Sequence, residues 1–304
     1  MNIALCTYHR AQNGGAQLQA WALKTVLERM GHTVGFAANA VGVERRWAFP
    51  WTTLGGCVRN VCSLGWEDLS RHRFHAFSAR HFKPLAARPD LAVVGSDQVW
   101  NLRIAKDDAP LFLGERLDCP HVAYAASVGD RPPTADEAAR LRRAAAAFKA
   151  VSVREPCFLD APIVCDPTLL LTAADYEPIL TPPPLREPYL FAYAVSMSDA
   201  VVAEARRLAR EKGLRLVLDG VYCRTKFRAP REHLFGLSPD RLLGYVRHAA
   251  IVVASSFHGV ALARLYDRPC VALEAGTRVR TLLASGPLEP QREKGLRFLR
   301  EALA

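Results

Sequence analysis

The 304-residue chain is half hydrophobic and carries 40 Lys and Arg against 30 Asp and Glu, a net charge of +10. That composition excludes a disordered chain and supports a core large enough for one or two domains. The basic residues are mostly Arg and are scattered, with no polybasic tract, so small anionic ligands are the expected partners rather than nucleic acid.

The eight cysteines are Cys6, Cys57, Cys62, Cys119, Cys157, Cys165, Cys223 and Cys270. None forms a C-x-x-C pair or stands beside a histidine at zinc spacing, so no metal site is expected and the thiols read as those of a reduced, cytoplasmic protein. The start, MNIALCTYHR, reads as a first strand and not as a signal peptide. No apolar run approaches the ~18 residues of a membrane-spanning helix.

In chain order, residues 2–8 are expected as a strand, followed by a polar loop from His9 to Gly15. A helix from Ala16 to Met30 follows, with Ala20, Leu23 and Leu27 at helical spacing and Gly31 ending it. Residues 32–36 form a second strand, which makes a β-loop-α-β start without the G-x-G-x-x-G of a dinucleotide site. Residues 40–90 hold Trp47, Trp51, Trp66 and the stretch Arg71 to His75, with a helix expected from Glu67 to His81 whose histidines lie at the surface. Leu91 to Val94 is a buried strand that runs into Gly95-Ser96-Asp97-Gln98-Val99-Trp100-Asn101. Ser96, Asp97, Gln98, Trp100 and Asn101 are therefore expected to line a site at the sheet edge. Val122 to Ala126 is a strand ending at Ser127, and Thr134 with Glu137 forms a capping box opening a helix to Lys149. Val151 to Val153 ends at Arg154-Glu155, and Ile163 to Cys165 is expected as one more strand, ending at Asp166.

Thr181-Pro182-Pro183-Pro184 cannot continue a helix or a central strand and reads as a linker between units at residues 1–180 and 185–304. Beyond it the α/β rhythm restarts: a strand at 189–195, a helix at 198–212 capped by Ser198, a strand at 214–218, and a helix opened by Ser238-Pro239. Residues 249–267, AAIVVASSFHGVALARLYD, organise the second half. Ile251 to Ala254 is a buried strand, Ser255, Ser256, Phe257 and His258 follow, and helical spacing begins after Gly259. His258 thus stands where a strand gives way to a helix, the mouth of an α/β sheet, where helix N–H groups favour an anion and a histidine can act as an acid. A strand at 270–273 and helices at 278–284 and 289–303 complete an α/β chain of two Rossmann-like domains facing across a cleft.

Four groups of segments together resemble the polysaccharide pyruvyl transferase family. They are TYHRAQNGGAQLQAWAL (residues 7–23), VVGSDQVWN (93–101), the group YAASVGD, VSVRE and DPTLLL (124–130, 151–155, 166–171), and SSFHGVALA (255–263). The resemblance implies a GT-B-like fold and transfer of the enolpyruvyl unit of phosphoenolpyruvate to two sugar hydroxyls, giving a pyruvate ketal and phosphate. It implies His258 as the active-site histidine, Arg154 as a basic residue near phosphoenolpyruvate, and the loops of Asn13, Gly15, Asp97 and Gln98 on the same cleft. It also places the acceptor on the first domain and the donor on the second, with no cofactor beyond phosphoenolpyruvate as co-substrate. The fold alone leaves open a nucleotide-sugar glycosyltransferase or a non-catalytic anion-binding relative.

Overall fold

The computed structural model describes residues 1–38, 53–195, 197–220, 233–234 and 236–304, with the side chains of 55–67 outside that description. Trp47, Trp51 and Cys223, and the side chains of Cys57, Cys62 and Trp66, therefore lie outside the described residues.

The first half runs β1 (Asn2–Cys6), α1 (Gly14–Arg29), β2 (Thr33–Phe36), α2 (Leu54–His81), β3 (Leu91–Val94), α3 (Leu102–Ala105), α4 (Ala109–Phe112), β4 (His121–Ala126), α5 (Ala135–Ala147) and β5 (Ala150–Val153). The second runs β6 (Tyr189–Tyr193), α6 (Asp199–Glu211), β7 (Arg215–Asp219), α7 (Pro239–His248), β8 (Ile251–Ala254), α8 (Phe257–Leu265), β9 (Cys270–Ala272), α9 (Thr277–Ala284) and α10 (Leu288–Leu303). The strands form two parallel sheets, ordered β2-β1-β3-β4-β5 and β7-β6-β8-β9. Strands such as Leu91-Ala92-Val93-Val94 are buried on both faces, as parallel strands covered by helices must be. In each sheet the strand order reverses beside the first strand, between β1 and β3 and between β6 and β8. Ligands of open α/β sheets bind at such switch points.

Local chemistry sets the helix starts. Asn13 accepts from Ala16 N–H, Ser198 accepts from Val201 N–H, and Thr134 with Glu137 closes the capping box. Ser238 holds the cap position of α7 but its side chain makes no capping bond. Four readings of the sequence are corrected. Gly14 and Gly15, expected in a loop, form the first turn of α1. α2 begins well before Glu67, while His72 and His75 are exposed as expected. Helical structure over α8 starts at Phe257, so His258 lies in its first turn. The strand expected at 163–165 shrinks to one bridge, Val153 to Ile163, because Pro162 lacks an N–H to offer and Asp166-Pro167 turns into a 3-10 segment at Pro167–Leu169.

The two sheets share one core. Leu18, Leu23 and Leu27 of α1 pack with Leu242 and Val246 of α7, Val260 and Ala261 of α8, Leu169 to Leu171, and Leu299 and Leu303 of α10. The proline linker is held against α7, where Thr181 N–H donates to Asp240 O at 3.0 Å and a Cβ on Gly244 would lie 1.9 Å from Thr181 O. The last helix leans back over the first domain. Arg292 donates to Leu171 O at 3.1 Å, and a Cβ on Gly295 would meet the Tyr124 hydroxyl at 2.5 Å.

Candidate active site

The C-terminal ends of β1, β3, β4, β5 and β8 converge, and three of them carry the charged centre. At the end of β3 the chain turns at Gly95, whose φ of +115° and near contact with Tyr124 O (2.3 Å from a built Cβ) admit only glycine. Gln19 of α1 fastens this turn, donating to Thr7 Oγ1 at 2.7 Å and accepting from Ser96 N–H at 3.2 Å. Ser96 Oγ donates to Ala125 O at 2.8 Å. Asp97 follows in a left-handed conformation, φ +68°, which turns its carboxylate inward.

Arg154, at the end of β5, fills the centre with its side chain 1% exposed. Its Nη1 donates to Asp166 Oδ2 at 2.7 Å and its Nη2 to Asp97 Oδ1 at 3.3 Å. Its Nε lies 3.6 Å from Glu155 Oε2, and the Phe257 ring covers the guanidinium at 4.3 Å. Burial disfavours this charge, but Asp166, Asp97 and Glu155 outweigh burial and hold the proton on. Asp166 is fully buried, and Thr168 donates to its second oxygen through N–H (3.0 Å) and Oγ1 (2.8 Å). Burial alone would raise the Asp166 carboxyl. The charge and hydrogen bond of His258, with Arg154 and the Thr168 N–H, instead hold it far below the usual carboxylate range, so it is ionised. Burial pushes the Glu155 carboxyl up against the opposing pull of Arg154 and of Ser127, whose hydroxyl donates to it at 2.6 Å.

His258 reaches this cluster from the second domain. Its Nε2 is 3.5 Å from Asp166 Oδ2, and the residue is 5% exposed. Gly15 lies directly beneath the imidazole: a Cβ there would sit 2.2–2.5 Å from the ring and the His258 Cβ. His258 Nε2, Arg154 Nε and Glu155 Oε2 are buried and make only long ion-pair contacts, the first with Asp166 Oδ2 at 3.5 Å and the other two with each other at 3.6 Å. Polar groups so weakly met are costly away from water.

A cleft of about 330 Å³ opens beside the centre, reaching Arg154 and Asp166 but not lined by Asp97, Glu155 or His258. Arg154, Asp166 and Phe257 form its floor, and Arg278, Gln291 and Lys294 of α9 and α10 stand on its wall.

Of the residues expected from sequence, Arg154, Asp97, Asp166, Ser96, His258, Phe257 and Gly15 meet here. Ser127 supports the centre through Glu155, and Gly259 gives α8 its close approach, since a Cβ would be 3.0 Å from the Tyr193 ring. Asn13 serves as the cap of α1, Ser256 occupies the cap position of α8, and half-buried Ser255 precedes it. Gln98 and Asn101 bond to each other at 2.9 Å. Trp100 is corrected: it is 1% exposed in the first domain's core and its indole N–H donates to Phe112 O at 3.0 Å, so it packs within that domain and does not join the charged centre. Glu155 and Lys294 were not singled out from the sequence. The Arg154-Glu155 pair at a strand end was the available signal for the first, while Lys294 joins the cleft only through the path of α10.

Two parallel Rossmann-like domains with facing C-terminal edges, a buried ion cluster between them and a returning final helix define a GT-B-like α/β protein. The family model for polysaccharide pyruvyl transferase matches residues 13–276, so the chain belongs to that family. No curated protein matches the sequence. Among solved structures, one described as a UDP-N-acetylglucosamine 2-epimerase of Listeria monocytogenes is 12% identical with a TM-score of 0.50, covering 98% of this chain and 88% of that one. The rhamnosyltransferase SpnG is 16% identical with a TM-score of 0.46, covering 100% and 91%.

Proposed function

We propose that the protein transfers the enolpyruvyl unit of phosphoenolpyruvate to two hydroxyls of a carbohydrate-like acceptor, with His258 as the general acid. The observation that carries this reading is the position of His258: a buried imidazole whose Nε2 lies 3.5 Å from an ionised Asp166, at the meeting of both sheets' C-terminal edges. Protonation of the donor's methylene carbon gives a methyl group and an oxocarbenium-like centre that an acceptor hydroxyl attacks. The phosphate then leaves, and a second hydroxyl closes the ketal. One hydroxyl proton balances the new methyl hydrogen and the other leaves with phosphate, so the reaction calls for no redox cofactor. An imidazole suits the first step near neutral pH.

In this reading Arg154 is a positioning residue, because its terminal nitrogens are taken by Asp166 and Asp97. It keeps Asp166 ionised and in place, and Asp166 in turn orients His258. The acceptor lies on the first domain and the donor on the second. A cytoplasmic setting fits the free thiols of Cys6, Cys119, Cys157, Cys165 and Cys270. Among the described residues, no helix is long and apolar enough to cross a membrane.

Calorimetry with phosphoenolpyruvate and with a nucleotide sugar tests the donor. Saturable phosphoenolpyruvate binding that a nucleotide sugar does not displace is the expected result. Saturable binding of the nucleotide sugar, with no binding of phosphoenolpyruvate, would replace this reading with glycosyl transfer.

A further inference from the structure

The charged centre has no surplus of positive charge. Three carboxyl groups, Asp97, Glu155 and Asp166, surround two basic groups, Arg154 and His258. A donor bearing a phosphate and a carboxylate is repelled by such a centre unless its anionic end turns elsewhere. The cleft beside the centre supplies the alternative on a wall built from α9 and α10. Two cations stand on that wall. Arg278 is occupied, donating to Asp130 Oδ2 through Nη2 at 2.7 Å and Nε at 3.0 Å. Lys294 has no ion-pair or hydrogen-bond partner among the described residues. Arg154, on the floor of the same cleft, is taken up by Asp166, Asp97 and Glu155.

α9 and α10 begin at Thr277 and Leu288, beyond the matched span that ends at residue 276. The wall is thus a feature of this chain's C-terminal segment and stands outside the family match.

We infer that the α9–α10 wall is an anion subsite whose free cation is Lys294, and that it receives the phosphate of the donor. The donor's identity rests on the pyruvyl-transfer reading; the anion subsite itself does not. A mobile ammonium on a long stem suits a group that must be held during the reaction and then released as free phosphate.

Isothermal titration of inorganic phosphate and of phosphoenolpyruvate into the native chain, Lys294→Gln and Lys294→Arg tests this directly. Lys294 is exposed on α10, so both variants are expected to fold, and equal melting temperatures check it. Lys294→Gln should weaken both ligands about tenfold, as loss of a charge-assisted hydrogen bond implies, with Lys294→Arg recovering most of the affinity. In turnover, KM for phosphoenolpyruvate should rise more than kcat falls. Equal phosphate affinity in the native chain and Lys294→Gln would overturn the subsite, whether or not phosphoenolpyruvate is turned over. Lys294-dependent phosphate binding by a chain that never releases phosphate from phosphoenolpyruvate would keep the subsite and remove the pyruvyl-transfer reading.

Discussion

At the scale of single residues, the centre depends on Asp166 more than on any other side chain. Its two oxygens serve Arg154, Thr168 and His258, and its side chain is buried. Asp166→Asn leaves the Arg154 charge buried with weaker compensation, a loss of about 3–5 kcal/mol in comparable buried pairs. Chemical denaturation should show that fall, and Asp166→Asn should also lower turnover in whatever fraction folds; a variant as stable as the native chain would contradict the role given to Asp166. A second residue sets the acid limit of the fold. His9 is buried against Phe36 and Phe82, and burial lowers its pKa from 6.5 to about 4, outweighing the bond to Thr7 O. A histidine neutral when folded but free to protonate when unfolded stabilises the fold above pH 6.5. That contribution drains away as pH falls from 6.5 to about 4 and changes no further below it. Denaturant midpoints should therefore decline across that window, and less steeply in His9→Asn; parallel declines would show that another group sets the limit. His258, Arg154, Asp97 and Asp166 were legible in the sequence because each follows an apolar run that ends abruptly in polar residues. Trp100 carried the same signal and misled, since its neighbours say nothing about which way an indole points. What Arg154 binds was only partly legible, because Glu155 adjoins it in sequence while Asp97 and Asp166 come from distant segments.

At the scale of elements, the first turn of α1 is the seat of His258. Gly14 and Gly15 let that turn press against the second domain: a Cβ on Gly14 would meet Leu242 Cδ2 at 2.7 Å, and one on Gly15 would overlap the His258 ring. Gly15→Ala must push the imidazole away from Asp166, because the obstructing atoms include the His258 Cβ and not only a movable tip. Overpacking of this kind costs about 1–3 kcal/mol. The expected outcome is a modest drop in melting temperature with a disproportionate loss of turnover. Full activity in Gly15→Ala would show that His258 has room the geometry does not grant. The strands and major helices were readable from periodicity and caps, including β3 and β8 to the residue. The short helices α3 and α4 were not, since four residues carry too little period to register. The glycine pair read as a loop because glycine disfavours helix interiors, and only the opposing domain explains it.

At the scale of the molecule, a shared core ties the domains together through α1, α7, α8 and α10. The proline linker announced two halves, yet nothing in the local sequence shows that the last helix returns to the first domain and walls the cleft. The proposed reaction depends on that assembly, since His258 and Asp166 come from opposite sides of the linker. Phosphate release from phosphoenolpyruvate, measured alongside ketal formation over a panel of sugar acceptors, tests the pyruvyl-transfer reading most directly. The native chain should release one phosphate per ketal formed with its acceptor. A folded His258→Gln variant should still bind phosphoenolpyruvate while turnover falls by ~10²–10⁴, the usual share of general acid catalysis. Full turnover by folded His258→Gln, or phosphate release with no ketal on any acceptor, would contradict it.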